Sequence, residues 1–324
     1  MRGARKRVLL FAFAIILVLG LIIGGLRILE STVFYQEPEE LPVTSKTITR
    51  NGTKYYPRQD ITVVMVLGID ETGPVVSSGS YRNTGEADAV ILLVLDETNE
   101  TYTILSLNRD TMLKMPVLGL GGKQAGTFYG QLALAHTYGE GLEDSCENTR
   151  NTVSDLLYGI NIDYYVSMNM DAIAIINDAV GGVTVNVTDD FSQVDPSITM
   201  GEMKLTGEQA LRYVQSRMAV GSQLNISRMG RHEEYIQSLM KAVTDRQEER
   251  DMFYVELYED ISPYMVSDCS STVINNLMNR CSDYTMADVI TPAGENVLGK
   301  EYYEFHLDEE KLDELILHLF YSPK

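Results

Sequence analysis

Residues 8–26 hold nothing but apolar side chains and glycine. A helix rises 1.5 Å per residue, so this run is long enough to cross ~30 Å of hydrocarbon. No other feature of the chain limits its organisation as strongly. Arg2, Arg5, Lys6 and Arg7 precede the run, and only Arg27 closely follows it. That imbalance of positive charge predicts a cytoplasmic tail over 1–7 and a transmembrane helix over 8–27, with the rest of the chain outside the cell membrane. A cleavable signal peptide would have a shorter apolar core leading to an Ala-x-Ala-like site. No such site precedes Phe34, so the helix is expected to stay.

Charge narrows the function. The 324 residues carry a formal −20, and without the five basic residues of 1–27 the remainder carries −25. This surface does not suit non-specific nucleic-acid binding, which depends on Lys and Arg neutralising phosphates. An anion site in so acidic a domain must concentrate the few arginines. Of the three cysteines, Cys269 and Cys281 are nearer each other than either is to Cys146. An external location permits a disulfide, and buried free thiols are an equal reading. The sequence has no CxxC, no HExxH and four scattered histidines, a pattern that does not suit a zinc site.

Residues 28–60 are polar, with Pro38, Pro42, Pro57 and the acidic Glu37-Pro-Glu-Glu40, and read as a stalk. Beyond them, the remaining ~260 residues fit one large α/β domain. Thr62-Val-Val-Met-Val-Leu67 and Ala89-Val-Ile-Leu-Leu-Val-Leu95 are β-branched, apolar runs and predict buried strands. Thr101-Tyr-Thr-Ile-Leu-Ser-Leu107 predicts a third, close enough to the second to form an antiparallel hairpin. Helices are predicted around 131–138 and 147–157, a strand over 163–168, and a helix over 171–179 ended by Gly181 or Gly182. Another strand is predicted over 183–187. Thr206-Gly-Glu-Gln209 has the capping-box form and opens a helix to about Arg217; a second helix starts near Ser227. Near the end, Leu312, Leu315, Ile316 and Leu319 keep helical spacing.

The hairpin has a geometric consequence. In an antiparallel pair the start of one strand lies beside the end of the other. Asp88 is therefore close to Asn108-Arg109-Asp110, and Asp70 reaches the same edge if the first strand runs parallel to the third. Two aspartates converging there make a plausible Mg²⁺ site, completed by water and phosphate; as ordinary turn residues they would sit at the same positions. Arg217, Arg228 and Arg231 form a second cluster. Arg228 and Arg231 share a face of the helix from Ser227, in its first turn, where the dipole disfavours cations unless an anion joins them. Pairing with Glu233, Glu234 or other acids is the alternative.

Seven motifs in order carry a resemblance. They are Val66-Leu-Gly-Ile-Asp70, Ala87-Asp-Ala89, Leu105-Ser-Leu-Asn-Arg-Asp-Thr111, Ile162-Asp-Tyr-Tyr165, Val180-Gly-Gly-Val183, Leu205-Thr-Gly-Glu-Gln-Ala210 and Arg228-Met-Gly-Arg231. Over about residues 60–245 the chain resembles the LytR-CpsA-Psr family, also labelled cell envelope-related transcriptional attenuator. The resemblance implies a three-layer α/β/α fold with a mixed central sheet and a long apolar groove for a polyprenyl chain. It implies a membrane-anchored phosphotransferase that moves a teichoic acid, capsule or other wall polysaccharide from a polyprenyl-pyrophosphate carrier to peptidoglycan. In this reading Asp70 and Asp88 hold Mg²⁺, with Mn²⁺ as the alternative. Arg109, Arg217 and Arg228 hold the pyrophosphate, with Arg231 in the adjoining motif, and Asp110 orients an arginine or acts as base. The sequence departs from the family pattern at Glu86, Gln215, Asn225 and His232. A hydrolase using the same residues, and a non-catalytic binder of polyprenyl lipid or wall polymer, are the rival readings. Transcriptional control ranks last, with about seven residues inside the cell and no DNA-reading motif.

Overall fold

The computed structural model describes residues 47–216, 220, 224–249, 253–269, 273, 277, 284–300 and 302–323. The apolar run 8–26, Arg217 and Cys281 lie outside them. Among the described residues no helix is long and apolar enough to cross a membrane. The chain divides into two compact units, a sheet unit drawn from 47–168, 265–269 and 286–323, and a helical unit drawn from 169–264 and 270–285.

The sheet unit is built on six strands: β1 (Ile61–Ile69), β2 (Ala87–Asp96), β3 (Thr101–Leu107), β4 (Tyr164–Asn169), β5 (Met265–Ser267) and β6 (Thr285–Ile290), in the order β5-β4-β1-β2-β3-β6. β1 and β3 both pair antiparallel with β2, so they run parallel to each other, as the strand-edge argument required. Asp163, just before β4, donates its N–H to the Val63 carbonyl near the start of β1 at 2.9 Å. The two strands therefore begin side by side and run the same way, which makes the sheet mixed. Val63, Val64, Met65 and Leu67 are all 1% exposed or less. Burial on both faces is why these strands read as continuous apolar runs instead of alternating.

Helix Glu143–Leu156 and helix Glu309–Phe320 bury Val153, Leu312, Ile316 and Leu319 in the same core as β1, β2 and β3. Asp308 caps the second by accepting from the Lys311 N–H at 3.1 Å. Two stretches differ from expectation. Leu132–Thr137 is a 3-10 helix, and before it Met112–Leu118 and Gln124–Gln131 form an antiparallel hairpin. Pro116 and the glycines at 119, 121, 122, 126 and 130 break any clean period there. Within the stretch read as stalk, Ile48–Arg50 and Thr53–Pro57 are strands, completed by Tyr321–Pro323 from the far end of the chain. A partner so distant in sequence leaves no local signal.

In the helical unit, Asn169 caps helix Met170–Ala179 by accepting from the Asp171 and Ala172 N–H groups. Gly181 and Gly182 end it with φ of 80° and 97°, a region closed to most side chains. Val183–Val187 pairs with Gly201–Leu205. Thr206 and Gln209 form the expected capping box on helix Gly207–Gln215. The next helix is Leu224–Glu249, so Arg228 and Arg231 stand in its second and third turns, and the dipole argument for an anion there loses its basis.

Candidate active site

β1 ends at Ile69, β2 begins at Ala87 and β3 ends at Leu107, so their loops meet at one edge. Asp70 donates its N–H to the Glu86 carbonyl at 2.9 Å. The β1–β2 ladder slips here: Gly68 faces Ala89 and Ile69 faces Ala87, leaving Asp88 as the extra residue of a β-bulge. Gly68 allows the strands to close around it, since a Cβ there would lie 3.2 Å from that of Ala89. The bulge turns Asp88 towards Arg109, and the Asp88 carboxylate forms an ion pair with Arg109 Nη1.

Arg109 is 7% exposed at its side chain, and each of its nitrogens meets a carboxylate. Nη2 lies 2.9 Å from Glu86 Oε2 and Nε 3.3 Å from Asp110 Oδ1. Asp110 is held in turn by Gln131 Nε2 at 3.0 Å, and its N–H donates to Asn108 Oδ1 at 2.9 Å. A planar guanidinium presents its donors in a fixed fork, so these contacts set its plane as well as its position. The edge gathers Glu86, Asp88 and Asp110 around one arginine, with Asp70 joined to it through the Glu86 backbone, a clear formal excess of negative charge.

Behind this edge lies a buried clamp that the sequence reading missed. Asn83 Nδ2 donates to the carbonyls of His136 and Gly139 at 2.9 and 3.0 Å and to Ser145 Oγ at 3.0 Å. Asn83 Oδ1 accepts from the Gly85 N–H at 2.7 Å, and His136 Nδ1 is 2.8 Å from the Gly85 carbonyl. Burial lowers the His136 pKa, so the ring is neutral, with Nδ1 protonated towards Gly85. Gly85 has no room for a side chain: a Cβ would lie 2.8 Å from Ile69 Cγ2 and 3.2 Å from Asn83 Oδ1. The clamp presents Glu86 to Arg109. Its only local signal is Thr84-Gly85 just ahead of a strand.

Arg231 lies in the helical unit and is 3% exposed. Its Nε donates to the Tyr213 carbonyl at 3.0 Å, Nη1 to Asp189 at 2.5 Å, and Nη2 to the Ser216 carbonyl. The guanidinium also lies 5.6 Å from the centre of the Phe191 ring. His232 Nε2 lies 2.9 Å from the Val214 carbonyl. Arg231 and His232 thus hold the last carbonyls of helix Gly207–Gln215, where cations suit the dipole. A phosphate contact from Arg231 would first have to break these bonds. Arg217 lies outside the described residues, and Arg228 is described by its backbone alone.

Among the described residues no three His, Cys, Asp or Glu side chains converge as a metal cage. Asp70 and Asp88 offer carboxylate oxygens at an edge rich in negative charge. That donor set fits Mg²⁺, which is commonly held by one or two carboxylates with water and phosphate. Cys146 and Cys269 are free thiols whose pKa burial pushes up to about 12, which removes them as nucleophiles.

The model of the LytR_cpsA_psr family matches residues 33–319. The polyisoprenyl-teichoic acid--peptidoglycan teichoic acid transferase TagU of Enterococcus faecalis is 30% identical over 214 residues, 65% of this chain and 63% of that protein. Its counterpart TagV of Bacillus subtilis is 31% identical over 225 residues, 67% of this chain and 52% of that protein. The matches thus span about half to three fifths of these relatives' lengths. Among solved structures, protein gbs0355 from Streptococcus agalactiae superposes with a TM-score of 0.65 at 25% identity, covering 80% of this chain and 86% of that one.

Proposed function

Because the chain belongs to the LytR-CpsA-Psr family, we propose that it is a phosphotransferase that moves a wall glycopolymer from a polyprenyl-pyrophosphate carrier to peptidoglycan. The teichoic acid transferase activity for which its TagU and TagV relatives are named supports this reading. The observation that carries it is Arg109, buried at a strand edge with every nitrogen on a carboxylate.

In the proposed reaction a hydroxyl of the acceptor attacks the polymer-bearing phosphorus, the bond to the carrier's phosphate breaks, and the hydroxyl proton passes to the departing phosphate. Arg109 stabilises charge on the oxygens of the transferring group and the departing phosphate. Its contact with Glu86, whose side chain is 38% exposed, is the least buried of the three and the first to give way to a phosphate oxygen. Asp88 and Asp110 stay and keep the fork in plane. Asp110, which accepts from Arg109 Nε and Gln131 Nε2, acts through orientation. Asp70 and Asp88 would hold Mg²⁺ or Mn²⁺, which when bound neutralises pyrophosphate oxygens at this acidic edge. From the sequence, Arg217 and Arg228 are further pyrophosphate ligands, and Arg231 fixes the helix that leads to Arg217. We assign the chain to the cell membrane as a single-pass protein, with residues 8–27 as its span, the N-terminus cytoplasmic and a three-layer α/β/α domain outside.

The test uses the full-length protein with a lipid-pyrophosphate-linked polymer, peptidoglycan and Mg²⁺. Arg109→Ala is expected to lower transfer by about 100-fold or more, the scale of losing one charge-stabilising donor. Unchanged transfer would overturn the assignment. Phosphate release without acceptor would make the protein a hydrolase, and tight lipid binding without turnover a carrier.

A further inference from the structure

We propose that the hairpin of Met112–Leu118 and Gln124–Gln131 docks on an anionic phospholipid surface. Between Asp110 and Glu140 the chain has no acidic residue, while Lys114 and Lys123 both fall in the hairpin. In a chain of formal charge −20, this acid-free stretch suits negative lipid headgroups. The acid-free segment 72–84 of the loop before Gly85 adds Arg82, whose guanidinium lies 4.4 Å from the centre of the Tyr138 ring. That ring is in turn 6.0 Å from the Phe128 ring.

Exposure follows the same stretch. Leu120 is 93% exposed on a turn closed by the Gly119 N–H to the Lys123 carbonyl at 2.8 Å. Gly121 and Gly122 give that turn its positive φ of 75° and 69°. Phe128 and Tyr129 are 40% and 58% exposed. Every residue from Gln124 to Tyr129 is exposed, so neither face of this strand covers the core. The partner strand is rooted by Leu113 at 8% and Met115 at 0% exposure. A lone leucine on a glycine turn forms no pocket for a protein or a sugar. It suits the acyl boundary, with Phe128 and Tyr129 at headgroup level. Because exposure runs from the turn to the base, the hairpin would lie along the surface. At its base Gln131 bonds Asp110, so docking would hold the Arg109 edge near the headgroups, where a polyprenyl carrier has its pyrophosphate.

The inference rests on the proposed membrane attachment through residues 8–27. Reach is no obstacle. The twenty residues 28–47 can span up to ~66 Å when extended, against ~30 Å for the nine-residue β1.

The chain has no tryptophan, so Leu120→Trp supplies a sole reporter at a site too exposed to affect folding. The full-length protein is placed in nanodiscs of zwitterionic lipid or of lipid with added phosphatidylglycerol, each with or without brominated acyl chains. Blue-shifted emission, quenched at least two-fold by brominated lipid in the anionic discs, is expected. Adding Lys114→Glu and Lys123→Glu should abolish it, and Thr98→Trp, at the far end of β2, should stay unquenched in all discs. Protein that elutes with the discs while Trp at 120 stays unquenched overturns docking and leaves the anchor standing. Protein that does not elute with them overturns both. A shift of the emission on adding soluble wall glycan, with no quenching by brominated lipid, would overturn the lipid reading in favour of a sugar platform.

Discussion

Asp88 and Arg109 pair because the β1–β2 ladder slips by one residue, which leaves Asp88 unmatched and turned towards the end of β3. Both side chains are within 8% of full burial, so each depends on the other. Removing one partner of a buried pair typically costs about 3–5 kcal/mol, because a charge is left in low dielectric. Arg109→Met and Asp88→Leu should each lower the denaturant midpoint strongly. The double variant should recover much of that stability without transfer activity. Chemical denaturation of the three proteins checks this, and additive losses would mean the pair is not coupled.

Glu86 invites the opposite change. Its ion pair with Arg109 is partly exposed, so Glu86→Gln should change stability by less than about 1 kcal/mol. It also removes one negative charge facing the donor and loosens Arg109 Nη2. The expected outcome is a several-fold lower KM for the lipid-linked donor with kcat nearly constant. A KM equal to that of the parent would show that Glu86 does not compete with phosphate.

The clamp behind Glu86 gives a sharper pair of variants. Asn83→Asp keeps the acceptor for the Gly85 N–H but sets an oxygen against the carbonyls of His136 and Gly139. Asn83→Ala loses both functions. Buried groups left unsatisfied cost about 1–3 kcal/mol each, so both variants should be destabilised, and hydrogen exchange at Gly85 should rise more in Asn83→Ala. Equal exchange in the two would show that Oδ1 does not hold the loop.

The meeting of Asp70, Asp88, Arg109 and Asp110 was legible from sequence because it follows from strand direction alone: three apolar runs and one short turn fix which ends lie together. The bulge was not legible, since Ala87-Asp-Ala89 reads the same with or without a register slip. The clamp was hidden because Asn83, His136 and Ser145 come from three separate segments and are ordinary polar residues until burial joins them. Arg231 was singled out in the sequence together with Arg217 and Arg228, but its partners Asp189, Tyr213 and Ser216 have no fixed spacing from it. The hairpin of residues 112–131 defeated pattern reading for another reason: one strand is exposed on both faces, so the alternation that marks a half-buried strand is missing.

Acidification supplies a test with two opposing contributions. Burial lowers the His136 pKa below its ordinary value near 6.5. The unfolded chain then takes up a proton below that pH while the folded ring resists, so this stabilisation is present above pH ~6.5 and lost as pH falls. Burial raises Asp268 to about 6 from 3.8. The folded state therefore holds a proton between these values that the unfolded state has released, and stability falls as pH rises from near 4 through 6. Asp268→Asn removes the second contribution and leaves the acceptor for the Tyr165 N–H, which Asp268 Oδ1 now provides at 2.7 Å. Arg150, 2.9 Å from Asp268 Oδ2, keeps Glu147 at 3.9 Å. The variant should melt above the parent at pH 7 and converge with it by about pH 4, with a steeper loss between them because His136 then acts unopposed. Thermal melts across this range decide it. Parallel curves for the two proteins would show that Asp268 is not the group that titrates.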